Sequence, residues 1–262
     1  MRKILSLLLI VVSIPFITQA QSRTMEKVLT LKMPDDPGAR ASAIAWHPTL
    51  KRYYAPKSGN ASFSMAIFDP AGNLISPSGL TTKFDIRGIW YNPTLKTFCA
   101  NGYKDNGWIT YVLDKNGIPT DIKHDVEYMN QPEEHSVGFY NPRSNEVYFL
   151  KNQDVIIYNA SSFEETGKRH LFVSEEYDEP GEAMPDFMNS STVVYTGIPG
   201  NEFGLLNADD REINLFDKAT GKYSKALYFP LDAPTETFMC FTYCNGLYFL
   251  FDTKTKSWYG YR

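Results

Sequence analysis

Three things are scarce in this sequence: cysteine, basic clusters and, beyond its first twenty residues, long apolar runs. Each scarcity removes a class of function. Cys99, Cys240 and Cys244 are the only cysteines among 262 residues. Cys240 and Cys244 fall four apart in a strand-like run, which sets their Cα atoms ~13 Å apart, beyond disulfide reach. We read all three as small buried apolar residues, with a bridge from Cys99 to one of the others as the alternative. No Cys-x-x-Cys or Cys/His spacing occurs, and His47, His124, His135 and His170 fall at unrelated places, so no metal site is expected. There is no Gly-x-Ser-x-Gly elbow, phosphate loop or dinucleotide fingerprint, and hence no expected cofactor. Lys and Arg never gather into a block, which argues against nucleic acid and against an anionic membrane surface as partners.

The N-terminus is the first positive signal. Arg2 and Lys3 precede an apolar stretch over residues 4–17, broken by Pro15, and Thr18-Gln19-Ala20 ends on a small residue. This is the pattern of a secretory signal peptide over residues 1–20, with an N-terminal membrane anchor as the alternative. The expected mature chain is one domain, 21–262, exported to the periplasm or beyond. No cysteine follows the cut to carry a lipid. Losing Arg2 and Lys3 leaves 24 basic against 30 acidic residues, a formal charge of −6. No later run approaches ~18 apolar residues, so the mature chain should hold no membrane span.

The strongest internal signal is a phrase that recurs: Trp46-His47-Pro48-Thr49-Leu50-Lys51, Tyr91-Asn92-Pro93-Thr94-Leu95-Lys96 and Tyr140-Asn141-Pro142-Arg143. The prolines are 45 and 49 residues apart, and each phrase joins two short apolar runs. A period of that size in a strand-rich chain points to an all-β fold, a single β-propeller of repeated four-stranded blades.

Turn residues divide the chain into units. The first reads as strands at 42–46, 52–55, 64–68 and 74–77, and the second at 87–91, 97–101, 108–113 and 119–123. The third reads at 136–140, 146–150, 155–158 and 169–173, and the fourth at 191–196, 202–206, 212–216 and 222–229. Each run is rich in aromatic and β-branched residues, and each break holds Gly, Pro, Asn or Asp. A fifth unit has only 238–243, 247–251 and 258–261 before the chain ends. Its missing outer strand can come from Lys27-Val28-Leu29-Thr30-Leu31, which would close a ring of five blades and leave no free edge. A competing parse makes 251–256 another turn between third and fourth strands.

The aromatic-x-Pro turns, together with the turns opened by Phe68-Asp69, Leu113-Asp114 and Phe216-Asp217, resemble those of β-propeller repeat proteins of the broad WD40-like and NHL-like kind. The resemblance spans nearly all of 21–262 and implies architecture only. No Trp-Asp dipeptide closes a blade, and the paired glycines of kelch repeats are missing. A β-sandwich or an open sheet array is the architectural alternative.

In a propeller the Pro turns and the Asp-x-x-Gly turns share one face, and their regularity suggests a structural duty. The opposite face collects the loops between second and third strands and the links between blades, which vary more in length and charge. Just before the inner strands sit Arg40, Asp85, Glu134, Asn189 and Thr237, with Arg87 and His135 close behind. In the loops sit Lys57, Lys104 and Lys151, spaced 47 and 47 residues, with Asp209 and Asp210 in the fourth unit.

These residues predict a polar funnel at the channel mouth, with Arg40, Lys57, Asp85, Arg87, Lys104, Glu134, His135 and Lys151 as ligand-binding candidates. Trp90, Trp108 and Tyr103 are the aromatics expected to stack on a sugar. The expected function is an exported binding protein for a small molecule, glycan, peptide or protein partner. One alternative is a glycoside-processing enzyme like the five-bladed propeller glycosidases, which need two carboxyl groups ~5–9.5 Å apart. Asp85, Glu134 and Asp186 are the catalytic candidates for that reading, with Asp36 on the same register. The other alternative is a propeller that serves only protein assembly.

Overall fold

The computed structural model describes residues 24–152, 154–171, 192–236 and 238–262. The expected signal peptide and Asp186, Asn189 and Thr237 lie outside them. The chain is all-β, with one 3₁₀ turn among the described residues, at Lys104–Asn106, and its strands form five antiparallel sheets arranged as a five-bladed propeller.

Blade 1 holds β2 (Ala45–His47), β3 (Arg52–Pro56) and β4 (Met65–Phe68); blade 2 holds β5 (Ile86–Asn92), β6 (Thr97–Gly102), β7 (Trp108–Leu113) and β8 (Pro119–Val126). Blade 3 is β9 (Phe139–Asn141), β10 (Glu146–Lys151), β11 (Asp154–Asn159) and β12 (Glu165–Leu171). Blade 4 is β13 (Val194–Tyr195), β14 (Phe203–Asn207), β15 (Glu212–Phe216) and β16 (Tyr223–Tyr228). Blade 5 takes β17 (Phe241–Cys244), β18 (Leu247–Asp252) and β19 (Ser257–Tyr261) from the C-terminus and β1 (Lys27–Lys32) from the N-terminus. Lys27 pairs with Tyr261 and Lys32 with Ser257, so the expected closure is the observed one. The competing parse fails because β18 is the second strand of this sheet and β19 the third, with β1 outermost, so residues 253–256 turn between second and third strands.

Two details depart from the sequence reading. Blade 1 has three strands: its outer segment bridges once, at Leu74 opposite Phe68, and rejoins the ladder at Thr81 opposite Ser64. Ser76-Pro77-Ser78-Gly79 intervenes, and proline has no N–H to give a ladder. Outside blade 2 the inner strands also begin later than expected, because preceding residues bond to neighbouring blades. Ser42 Oγ, for example, donates to the Arg87 carbonyl at 2.6 Å.

Packing explains why the middle strands read as unbroken apolar runs. Each sheet is covered on both faces, so β18 buries five consecutive residues, whereas the outer strand β8 exposes Thr120, Asp121, Lys123 and His124. Apolar side chains fill the seams between blades. Tyr53, Phe68, Phe249 and Trp258 join blades 1 and 5, and Trp90, Trp108, Phe149 and Tyr158 join blades 2 and 3.

Near the axis the inner strands touch. A Cβ on Gly88 would sit 2.6 Å from the Gly138 nitrogen and 2.4 Å from the Asn101 side-chain oxygen, so only glycine fits. Among the described residues no helix is long and apolar enough to cross a membrane.

Candidate functional site

The loops and links of blades 1, 2, 3 and 5 bring a connected cluster to the predicted mouth. Arg87, near the start of β5, is 4 % exposed. Its Nη1 donates to Asp85 Oδ1 at 2.6 Å and to the Ile86 carbonyl at 2.8 Å, and its Nε donates to His135 Nδ1 at 3.3 Å. Asp85 Oδ1 also accepts the Gly59 N–H at 2.7 Å, which ties the loop of blade 1 to blade 2.

Aromatic rings layer this charge network. The Arg87 guanidinium lies 4.6 Å from the Tyr103 ring, and Tyr103 is 4.9 Å from His135. His135 meets Phe238 edge-on at 5.1 Å, and the Arg40 guanidinium sits 5.4 Å over Phe238. Tyr103 donates its hydroxyl to Glu134 Oε2 at 3.0 Å, and Lys104 pairs with Glu134 Oε1 at 3.6 Å. That hydrogen bond, with the charge of Glu134, pushes the Tyr103 hydroxyl above its usual pKa. Burial, reinforced by the charge of Arg87, holds His135 below the ordinary 6.5 despite Glu134 nearby.

The predicted residues therefore separate by chemistry. Arg87 and Asp85 spend their polar atoms inside the protein and act as positioning groups. Arg40 is exposed, and among the described residues its guanidinium has no hydrogen bond and no acid partner. His135 commits Nδ1 to Arg87, which leaves Nε2 as the other ring nitrogen of a neutral imidazole and hence an N–H donor. Phe238, 39 % exposed, supplies the flat surface between them. Sequence reading placed Phe238 as the first residue of an inner strand. The only signal for its role was its position beside the ring residue Thr237.

The lysine ring is not a set of free cations. Lys57 is buried, pairs with Asp36 at 3.3 Å and donates to the Pro34 carbonyl. Burial works against the Asp36 charge, but bonds from Ser64 and the Lys57 charge hold its pKa below the usual value. Lys151 donates to the Pro132 carbonyl at 3.3 Å. The shared spacing of these lysines thus serves to hold link segments. Trp90 and Trp108 are 6 % and 1 % exposed in the seam between blades 2 and 3, where the Trp108 indole N–H donates to the Asn130 carbonyl. They are not at this mouth. Among the catalytic candidates, Asp85 and Glu134 have their carboxylates engaged by Arg87 and Gly59, and by Lys104 and Tyr103, as described. Asp186 lies outside the described residues.

No protein-family model matches the chain, and no curated protein does. Solved structures do. Glutaminyl cyclase from Myxococcus xanthus superposes with a TM-score of 0.56 at 8% sequence identity, covering 92% of this chain and 97% of that one. A nidogen/laminin complex gives 0.44 at 12% identity, covering 83% and 74%. The likeness to the cyclase is one of fold.

Proposed function

We propose that the protein is an exported binding module whose loop-face mouth takes a ligand bearing an anionic group, such as an acidic sugar or a carboxylate side chain of a peptide. The observation that carries this reading is the exposed Arg40 guanidinium, layered on Phe238 and unpaired by any described acid, beside the His135 ring. A guanidinium offers forked donors that match a carboxylate, and the ring beneath it limits the freedom lost on binding. The buried Arg87–Asp85 pair fixes the links that present these groups, which is the preorganisation a selective site needs. Export rests on the signal-like residues 1–20.

Calorimetric titration of residues 21–262 with carboxylated sugars and acidic peptides tests the site. Arg40→Ala should weaken the best ligand by about tenfold or more, the loss of one charge-assisted contact. Unchanged affinity in both Arg40→Ala and Phe238→Ala would overturn the reading. N-terminal sequencing of the exported product should begin at Gln21.

A further inference from the structure

The Pro-turn end of the channel, which regularity had marked as structural, is lined by one aromatic residue from every blade. Trp46, Tyr91, Tyr140, Tyr195 and Tyr243 occupy equivalent positions at or near the ends of the inner strands, and all five are half-buried. They ring a basin of about 350 Å³, with Ile44, Ala45, Ile89 and Phe139 also lining it and no charged side chain in its wall. Pro48, Pro93 and Pro142 form part of the rim.

A second, larger cleft of about 830 Å³ lies between blades 2 and 3. Trp90, Tyr140 and Pro142 line both, so the basin and the cleft share a wall. Trp90 and Tyr140 stack there, with ring centroids 6.3 Å apart and planes 26° from parallel. Farther along, Trp108 and Phe163 continue the aromatic lining, and Asn145 and Ser161 hydrogen-bond each other at 2.8 Å. The charges in the cleft are paired: Lys123 bonds Asp125 at 3.1 Å, and Asp125 accepts from Thr110 at 2.6 Å. Among the described residues the buried indole N–H of Trp90 has no acceptor, unlike that of Trp108.

We propose that basin and cleft form one trough that binds a neutral oligosaccharide chain, at a site separate from the loop-face mouth. Flat aromatic faces suit the C–H faces of sugar rings, and Tyr hydroxyls, amides and Ser161 suit sugar hydroxyls. With no unpaired charge in the wall, a charged ligand would be desolvated without compensation. Two adjoining cavities of this size suit a chain of several rings better than a single small molecule.

Tryptophan emission reads this trough through half-buried Trp46 in the basin and Trp90, 6% exposed where basin and cleft join, over a constant background from Trp108 and Trp258, which are 1% and 0% exposed. The protein is titrated with neutral oligosaccharides from cellulose, starch, laminarin and chitin, and separately with a proline-rich peptide. Saturable quenching by at least one oligosaccharide is expected. Tyr140→Ala should weaken it about tenfold. If that variant unfolds, Ser161→Trp, which fills the cleft from an exposed position, should give the same loss. Arg40→Ala should leave the sugar titration unchanged, which separates this site from the acidic-ligand site. No saturable change with any oligosaccharide overturns the proposal, as does quenching by the peptide alone. Undiminished sugar binding in Ser161→Trp also overturns it.

Discussion

Arg87 donates from Nε to Nδ1 of His135, 3.3 Å away, and so joins the inner strand of blade 2 to the link entering blade 3. An arginine can only donate, so Nδ1 must be the acceptor and the imidazole must be neutral for the bond to exist. One contact thereby sets the His135 tautomer and the direction in which its free N–H is offered.

The pH dependence follows from that bond. Burial first, and Arg87 second, lower the folded His135 pKa below 6.5. The unfolded chain therefore binds the proton more readily in the window between the folded value and 6.5. The stability contributed by neutral His135 is full above 6.5 and is lost as pH falls through that window. NMR titration of the ring should place the His135 midpoint below 6.5, and Arg87→Met should raise it. A wild-type midpoint at or above 6.5 would refute the arrangement.

Asn101 should be among the least replaceable polar residues. It is fully buried, donating from Nδ2 to Gln131 Oε1 and to the Ser136 carbonyl, both at 2.7 Å, and accepting the Gly138 N–H at 3.1 Å. Asn101→Ala strands these partners and should cost about 2–4 kcal/mol in urea denaturation. Asn101→Asp should not rescue, since its second oxygen would face two acceptors.

Two of the ring lysines, Lys57 and Lys104, should differ sharply on substitution. Lys57→Ala leaves the partly buried Asp36 carboxylate without its cation and should cost about 2–3 kcal/mol. Lys104, half exposed beside Glu134, should cost no more than about 1 kcal/mol on change to Ala. Thermal melts of the single variants check this ordering, and equal losses would contradict it.

Closure of the ring by β1 makes a matching pair of predictions. Leu31 is 0% exposed in the seam between blades 5 and 1, so Leu31→Ala should lose about 2–5 kcal/mol. Val28, 46% exposed on the same strand, should tolerate Ala within about 0.5 kcal/mol. Chemical denaturation distinguishes the two.

Much of the fold was legible because its signals are local. The recurrence of Trp46-x-Pro48, Tyr91-x-Pro93 and Tyr140-x-Pro142 reports repeated turns, and unbroken apolar runs such as residues 247–251 report strands covered on both faces. Arg40, Asp85, Arg87, Glu134 and His135 were legible as a ring because register with the Pro turns places them at one end of neighbouring inner strands. Their division of labour was not legible. Whether an arginine meets a carboxylate or a ring depends on link segments whose paths no local pattern specifies, and so Arg87 and Arg40 looked alike in sequence.

Sequence by itself determined the repeated strand-and-turn units and pointed to Lys27–Lys32 as the closing strand, because turn chemistry and hydrophobic runs act over a few residues, while the pairing with β19 decided the closure. Tertiary structure alone decided that Lys57 is buried, that Phe238 lies between Arg40 and His135, and that the aromatic of each inner strand faces a common basin. Those facts arise where residues about one blade apart in sequence meet around an axis, and only the closed ring supplies that geometry.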